Sequence, residues 1–301
     1  MKMLCIDGGG IRGVFAIAIL QAIEGEYKQP VGNLFDVIAG TSTGAIIAAS
    51  AALNINMADV MLSYKAYGKK IFKRQATFGL FKSVYSDGAL RRLLKNVFGD
   101  RRLADINKPL LIPAVDITHG KPYVHRSNYG HPGDLTIHLW DAVLSSCSAP
   151  IYFPPNILKN QCLTIDGGLW ANNPSLVCIT EAVHQFKAAL GDTKILSIGT
   201  GKQNIDFSKY SEKRWGLTEW LPISLPSLKP VPKLLDLALD LSSEAVSYHC
   251  QLLLQDNYLR INEELQEEVP FDKVENIDSL IEFGANVFKE RKNEIGRFLE
   301  G

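Results

Sequence analysis

Short strand-like and helix-like runs alternate along most of this 301-residue chain, and the change between them often comes at glycines. The first strand-like run, Lys2–Ile6, ends in a glycine turn before the helix-like run Val14–Glu24. The strand-like run Phe35–Ala39 and the Ala-rich run Gly44–Leu53 repeat this arrangement. Such alternation predicts an α/β fold, with a mainly parallel central sheet covered by helices on both faces in three layers.

Further strand-like runs follow at Pro109–Ile117, Tyr123–Arg126, Leu163–Ile165 and Lys194–Ile198. The pair Asn173-Pro174 predicts the start of a helix that runs to about Leu190. The stretch Trp215–Pro232 is rich in proline and predicts a long irregular loop. We therefore predict one domain, with a catalytic core over residues 1–205 and a C-terminal loop and helical extension of the same domain over residues 206–301.

Composition excludes several classes of protein. Hydrophobic residues make up 46% of the chain, which excludes a disordered or fibrous protein, and a formal net charge of +0 gives no indication of a nucleic acid polymer as partner. We expect no signal peptide, because a glycine turn follows the first short apolar run at once, and no membrane span, because the apolar runs are shorter than the ~18 residues that a span needs. Five cysteines without a C-x-x-C pair predict free thiols in a reducing compartment, so we expect a cytoplasmic protein.

The strongest chemical signal is the sequence G-T-S-T-G at residues 40–44, between a predicted strand and a predicted helix. A nucleophile elbow requires this context, because the sharp turn lifts the central serine, Ser42, into a cleft. The N-terminus of the following helix would direct its free N–H groups at the reacting centre.

A second glycine turn follows the first predicted strand and reads D-G-G-G-I-R-G from Asp7 to Gly13. Its consecutive glycines expose backbone N–H groups that can bind an anion, including the oxyanion of a tetrahedral intermediate. The same glycines also match the dinucleotide pattern G-x-G-x-x-G, which indicates a nucleotide-binding oxidoreductase or kinase instead. That pattern needs an acidic residue closing the second strand, and the chain has its Ser42 turn there.

A third signal is the sequence D-G-G at residues 166–168, at the end of a predicted strand. Asp166 is a candidate general base for Ser42, and partial burial would raise its pKa from ~3.9 toward a useful value. The chain also has six histidines, at positions 119, 125, 131, 138, 184 and 249. Their spacing matches no metal site, so we expect none.

These three blocks resemble the signature blocks of the patatin-like phospholipases. Two further stretches agree: S-S-C-S-A-P-I-Y-F-P-P at residues 145–155, and S-I-G-T-G at residues 197–201. The stretch W-A-N-N-P at residues 170–174, after the D-G-G block, is also similar to the family. The tail, including Tyr258–Asn262, fits the family more loosely.

The resemblance implies a Ser–Asp dyad without histidine, in which Ser42 is the nucleophile and Asp166 the base. It places Gly8, Gly9 and Gly10 in the oxyanion hole. Arg12 and Gly13 would support that loop, with Arg12 either steadying it or meeting substrate phosphate. The implied reaction is acyl transfer to Ser42 and then hydrolysis, which releases fatty acid from a membrane glycerophospholipid without cofactor or metal.

Charge is unevenly distributed along the chain. Residues 65–126 contain fourteen Lys or Arg and four Asp or Glu, whereas residues 261–285 contain eight acidic residues and one lysine. Two charged faces in contact with solvent would explain both segments. Within the basic segment, cations alternate with aromatic residues, a mixture that suits a phosphate-bearing ligand with stackable bases or an anionic membrane surface. The residues concerned are Lys69, Lys70, Phe72, Lys73, Arg74, Phe78, Phe81, Lys82 and Tyr85.

Two hypotheses about lipid and ligand contacts follow. The apolar residues of the predicted loop, among them Trp215 and Trp220, are candidates for contact with the inner membrane surface or for core packing. Bacterial patatin-like phospholipases of similar length are effectors of cyclic-nucleotide antiphage defence, and the chain resembles them in size and layout. We therefore hypothesise activation by a cyclic di- or trinucleotide through self-association, with the cell's own membrane as target. The alternative is a constitutive lipase.

Overall fold

The computed structural model describes residues 1–75, 82–158, 162–203, 223–224, 229–230, 233–265 and 267–300. The strands among them are β1 (Lys2–Ile6), β2 (Val37–Gly40), β3 (Leu110–Asp116), β4 (Lys121–Arg126), β5 (Asn156–Ile157), β6 (Leu163–Asp166), β7 (Lys194–Ile198), β8 (Ile223–Ser224), β9 (Lys229–Pro230) and β10 (Tyr258–Ile261). The helices are α1 (Gly13–Tyr27), α2 (Thr43–Ala52), α3 (Met57–Ile71), α4 (Gly88–Phe98), α5 (Leu139–Cys147), α6 (Gly168–Ala171), α7 (Ser175–His184), α8 (Lys233–Leu254) and α9 (Ile277–Glu300).

The central sheet has eight strands in the order β10-β7-β1-β2-β3-β6-β5, with β4 paired to β3 as well. The neighbours from β10 to β3 are parallel, whereas β4, β5 and β6 add antiparallel pairs at the far side. The short strands β8 and β9 pair separately with each other. This arrangement confirms the predicted mainly parallel sheet.

Helices cover both faces of the sheet, because alternate residues of the buried strands point to opposite sides. In β1, Leu4 and Ile6 join the larger core beneath α1 to α5 and α9. Met3 and Cys5 point the other way, into a smaller core beneath α7 and α8. The predicted three-layer architecture is therefore confirmed.

The predicted strands lie within a few residues of the observed ones, but one predicted helix is too long. Helix α7 ends at His184 rather than near Leu190, and Lys187 has a left-handed φ of +55°, which helical backbone cannot accommodate. The same helix begins one residue later than predicted, at Ser175 with Pro174 as its N-cap, although the Asn173 side chain still accepts the N–H of Ser175 at 3.0 Å.

The C-terminal third of the chain contributes to the same sheet through β10, which pairs with β7. The boundary predicted at residue 205 lies outside the described residues, and the division into core and extension stays a prediction. Most of the predicted loop Trp215–Pro232 also lies outside them. No helix in the described part of the chain is long and apolar enough to cross a bilayer.

Candidate active site

Ser42 occupies the turn between β2 and α2 in a backbone conformation that is unusual for a residue with a side chain. Its φ is +53° and its ψ is −124°, a combination that costs of order 1–3 kcal/mol and needs support from its surroundings. Close packing of the flanking glycines provides that support. A Cβ on Gly44 would lie 2.3 Å from the carbonyl oxygen of Ile6, and one on Gly40 would lie 2.0 Å from that of Gly44.

The end of α5 holds the backbone of Ser42 from the other side. The Ser42 N–H donates to Ser146 Oγ at 2.9 Å, and Ser146 Oγ donates in turn to the Pro113 carbonyl at 2.5 Å. The Cys147 thiol donates to the Ser42 carbonyl at 3.1 Å. The sequence pattern gave these small residues no role beyond the family resemblance, and the structure shows that they fix the serine turn.

Asp166 ends β6 and is 5% exposed. Its carboxylate accepts the Gly168 N–H at 2.8 Å, and both Asp166 and Ser42 line the same cavity. Burial raises the pKa of Asp166 to about 6, although the Ser42 side chain and the Gly168 N–H act in the opposite direction. None of the described ion pairs includes Asp166. It is therefore a carboxylate that can exchange a proton near neutral pH.

The glycine loop after β1 presents two backbone amides to the same space. Gly9 and Gly10 line the cavity that contains Ser42, and neither amide donates to an acceptor among the described residues. Gly8 differs, because its N–H donates to the Asn172 carbonyl at 3.1 Å. The amide hydrogen of Gly8 is therefore already engaged, and the predicted place of Gly8 in the oxyanion hole stays a prediction.

Gly8 instead allows close approach to the serine turn. A Cβ on Gly8 would lie 3.1 Å from the Ser42 Cβ and 2.4 Å from Asn172 Oδ1. Gly13 has a similar packing role between two helices, because a Cβ there would lie 2.6 Å from Thr43 Oγ1. These two glycines bring the loop, the serine turn and α1 together.

Side chains distant in sequence hold the glycine loop in place. The Asp7 carboxylate forms a two-point ion pair with Arg260 of β10, at 2.8 and 2.6 Å, and accepts the Ser243 hydroxyl at 2.7 Å. Thr200 Oγ1 donates to the Gly8 carbonyl at 2.9 Å. Sequence reasoning missed Arg260, although its position in the loosely matching tail at residues 258–262 was the available signal.

Arg12 is buried and lines the cavity. Its Nε donates to the Gly9 carbonyl at 3.3 Å, while its Nη1 has no hydrogen-bond partner in the described structure. The Nε of Arg12 therefore steadies the glycine loop, and the Nη1 retains N–H groups without an acceptor among the described residues. Both roles predicted for Arg12 are compatible with this geometry.

The cavity that joins these groups has a volume of about 930 Å³ including its open mouth. Its walls are mainly apolar, which suits an acyl chain better than a sugar or a nucleotide. The apolar wall comes from Ile11, Ile46, Ile71, Phe72, Leu90, Leu93, Phe153, Leu169, Leu239 and Phe271. No histidine is among the residues that line it in the described part of the chain.

The basic segment after α3 differs from its prediction. Lys69, Lys70 and Lys73 are exposed, whereas Arg74 forms an ion pair with Asp272 at 3.7 Å. Tyr85 is buried and its hydroxyl donates to Asp272. The predicted stacking of bases on Tyr85 is therefore wrong, because packing against neighbouring aromatic residues hides the ring.

The basic and acidic segments also contact each other rather than forming two separate solvated faces. Besides the Arg74 pair, Lys65 pairs with Asp278 at 2.8 Å. Phe78, Phe81, Trp215 and Trp220 lie outside the described residues, so their predicted ligand and membrane contacts stay predictions.

A protein family and several individual proteins resemble this chain in sequence. The family described as "Patatin-like phospholipase" matches residues 4–179. Patatin-like protein 2 of Arabidopsis thaliana is 30% identical, over 96% of this chain and 83% of its own length. A cGAMP-activated phospholipase of Escherichia coli (strain TW11681) is 32% identical, over 71% of this chain and 67% of its own. A cUMP-AMP-activated phospholipase of Escherichia coli is 27% identical, over 99% of this chain and 93% of its own.

Proposed function

The chain belongs to the patatin-like phospholipase family, and from this premise we propose that it is a serine hydrolase that cleaves acyl esters of membrane glycerophospholipids. One observation carries the proposal: Ser42, in its strained turn, shares the wall of a large apolar cavity with Asp166, a buried carboxylate of raised pKa. The cavity suits the acyl chain, and the dyad suits the ester bond.

In the proposed mechanism Ser42 Oγ attacks the acyl carbonyl while Asp166 accepts the hydroxyl proton. The N–H groups of Gly9 and Gly10 stabilise the oxyanion that develops on the carbonyl oxygen. As the ester bond breaks, Asp166 returns the proton to the departing lysophospholipid oxygen. A water then attacks the acyl-enzyme, with Asp166 again accepting a proton, and the fatty acid leaves as Ser42 regains its hydrogen.

The test uses the purified full chain and vesicles of mixed phospholipids, with products identified by mass spectrometry. Free fatty acid and lysophospholipid are expected from the unmodified protein and not from Ser42→Ala. Ser63→Ala is the control, because Ser63 is half-buried on α3, its hydroxyl donates to the Asp59 carbonyl at 3.0 Å, and it does not line the Ser42 cavity in the described structure. Phospholipid hydrolysis by Ser42→Ala at the unmodified rate would contradict the proposal.

We propose further that a cyclic di- or trinucleotide activates the enzyme. Two relatives are described as activated by cGAMP and by cUMP-AMP, and this similarity supports the idea. The exposed Lys69, Lys70 and Lys73 offer cations for phosphate, and they lie beside Ile71 and Phe72, which line the cavity. A ligand bound there would contact the wall of the active site. In this proposal the bound nucleotide acts through self-association of the enzyme. The activated enzyme then degrades the cell's own membrane in antiphage defence.

A constitutive lipase is the competing candidate, in which the same lysines meet anionic lipid. A panel of cyclic di- and trinucleotides separates the two when hydrolysis and particle size are measured together. Activation predicts a rise in both, lost in a Lys69→Ser/Lys70→Ser/Lys73→Ser variant and kept in Lys289→Ser, which removes an exposed lysine from α9. Full activity on anionic vesicles with no response to any cyclic nucleotide would establish the constitutive enzyme.

The third alternative, a nucleotide-binding protein built on the Gly8–Gly13 loop, receives less support. A dinucleotide loop needs free amides along the turn, and here the amides of Gly8 and Ile11 donate to Asn172 and Phe271. The apolar lining of the cavity also differs from what a pyrophosphate needs. Tight binding of NAD or ATP by the purified protein would support this alternative.

A further inference from the structure

Three side chains that commonly bind transition metals meet at the hairpin end, away from the Ser42 cavity. Asp116 ends β3, His119 lies in the turn between β3 and β4, and Cys162 directly precedes β6. A carboxylate oxygen, an imidazole nitrogen and the thiol sulfur all lie within 4.8 Å of one another. The antiparallel pairing of β3 with β6, which places Asp116 opposite Thr164, brings Cys162 to the turn.

Hydrogen bonds hold the carboxylate of this cluster in a defined position. Asp116 is buried, and its Oδ1 accepts the backbone N–H groups of Thr118 and His119 at 3.0 and 3.1 Å. Its Oδ2 lies 2.7 Å from His119 Nδ1, and the Cys162 sulfur lies within 4.8 Å of the carboxylate. The Thr118 hydroxyl accepts the N–H of Leu163 at 2.8 Å, which ties the turn to the start of β6.

We propose that Asp116, His119 and Cys162 form a binding site for a divalent cation of the zinc class. Oxygen, nitrogen and sulfur donors together suit Zn²⁺ or Co²⁺, whereas Mg²⁺ and Ca²⁺ require oxygen donors alone. Three protein ligands leave a fourth position for water. The imidazole of His119 is the entry point, since 62% of its side chain is exposed.

Binding requires a small local change and the loss of a proton. Ligand atoms around a tetrahedral zinc are about 3.3 Å or more apart. The exposed His119 ring must therefore move until its nitrogen lies a fraction of an ångström farther from the Asp116 carboxylate. The cation replaces the thiol hydrogen of Cys162, which leaves as H⁺, while His119 offers the lone pair of a neutral ring nitrogen. No redox step is involved.

The site would connect the β3–β4 turn to the strand that bears Asp166. Strand β6 starts immediately after Cys162 and has Asp166 as its last residue. A bound cation would therefore stabilise this edge of the sheet against local opening, because a ligand that binds only the folded state stabilises it. The proposal stands apart from the proposed hydrolase activity, since none of the three ligands lines the Ser42 cavity.

The experiment uses the purified full chain, kept reduced and stripped of metal with a chelator, and then titrated with Co²⁺ or Zn²⁺. One equivalent is expected to bind, with a cobalt–thiolate absorption band and a raised melting temperature. Cys162→Ser should abolish the thiolate band, and His119→Ala should weaken binding by at least about 10–100-fold.

Two matched variants serve as controls. His184→Ala removes an exposed histidine from α7, and Cys250→Ser removes a cysteine from α8. Both should keep the band and the affinity. Cobalt bound without a thiolate band, an affinity unchanged by His119→Ala, or no binding at tens of micromolar zinc would each overturn the proposal. Because Cys162 and His119 are partly or largely exposed, both variants should fold even if Asp116→Asn does not.

Discussion

Two aspartates of this protein, Asp7 and Asp166, share a sequence context but differ in the groups that contact their carboxylates. Asp7 directly follows β1 and Asp166 ends β6, and both are buried and followed by glycines. The carboxylate of Asp7 is held by both terminal nitrogens of Arg260 and by the Ser243 hydroxyl. The carboxylate of Asp166 accepts the Gly168 N–H and has no ion-pair partner among the described residues.

This difference separates a structural carboxylate from one that suits the proposed general base. A buried carboxylate with a two-point ion pair fixes the elements that it joins. A buried carboxylate without a cation is held less firmly in its charged form, and burial raises the pKa of Asp166 to about 6. The same D-G-G pattern therefore anchors the glycine loop after β1 in one place and offers, in the proposed mechanism, a proton acceptor in the other.

The largest expected effect comes from neutralising each carboxylate in turn. Asp166→Asn should lower kcat for phospholipid hydrolysis by roughly 10⁴-fold, because the base is lost while the shape of the side chain is retained. Its melting temperature should not fall, since a buried charge without a cation has been removed. Asp7→Asn should instead lower the melting temperature, because it leaves the Arg260 guanidinium buried and unpaired.

Initial-rate kinetics and thermal unfolding of both variants measure this contrast. A reversal, in which Asp166→Asn unfolds readily while Asp7→Asn is stable and inactive, would remove the distinction between the two residues. An inactive single histidine variant, together with an Asp166→Asn variant that is still active, would overturn the dyad.

The second effect concerns the partner of Asp7. Arg260→Met should reduce the free energy of unfolding by about 3–5 kcal/mol, because one partner of a buried pair is left without compensation. Lys65→Met is the control, since it breaks an exposed pair with Asp278 and should cost less than about 1 kcal/mol. Denaturant unfolding measures both values. Equal, small changes in the two variants would show that the Asp7 pair does not hold the loop.

Sequence reasoning succeeded where the determinants are local. The strand β2, the glycines at positions 40 and 44 and the helix α2 are adjacent in the chain, and the turn between them needs small residues at fixed positions. The mainly parallel pairing likewise follows from the short-range alternation of strands and helices. The Ser42 turn could therefore be located before any coordinates were known.

Sequence reasoning failed where the hydrogen-bond or packing partners of a residue come from distant parts of the chain. Arg260 reaches Asp7 from a strand at the far edge of the sheet, and Asn172 takes the N–H of Gly8 from the α6–α7 connection. Neither contact leaves a periodic pattern in the sequence. The same holds for Tyr85, whose burial depends on aromatic neighbours from separate segments, and for Cys162, which meets His119 through strand pairing.

The third effect tests whether the loop behind Asp7 serves catalysis as well as structure. A Cβ on Gly9 would lie 2.1 Å from Thr200 Oγ1, so Gly9→Ala must shift the loop and its free amides. We expect kcat to fall by about 10²-fold, as for the loss of one oxyanion donor. Gly25→Ala is the control, because nothing lies within 4 Å of its added Cβ. Near-normal turnover in Gly9→Ala would show that this loop does not form the oxyanion hole.

The smallest effect is the pH dependence of hydrolysis, which the raised pKa of Asp166 should set without any change of fold. Because the pKa of Asp166 is raised to about 6, the fraction of enzyme with an ionised base falls below that pH. On a soluble short-chain ester, kcat/KM should therefore fall about tenfold per pH unit on the acid side, with a midpoint near 6. An acid limb near 4 would mean that burial does not perturb the base.

Stability should change with pH in the opposite sense over the same window. Between the ordinary pKa of 3.8 and the folded value of about 6, the folded protein binds more protons at Asp166 than the unfolded chain does. The contribution of this group to stability is thus complete below pH 3.8 and is lost as pH rises through 6. Asp166→Asn removes that contribution, so the stability difference between variant and unmodified protein should grow in favour of the variant from pH 4 to pH 7. A difference that stays constant with pH would show that Asp166 titrates alike in the folded and unfolded chains, and the contrast with Asp7 would then rest on hydrogen bonding alone.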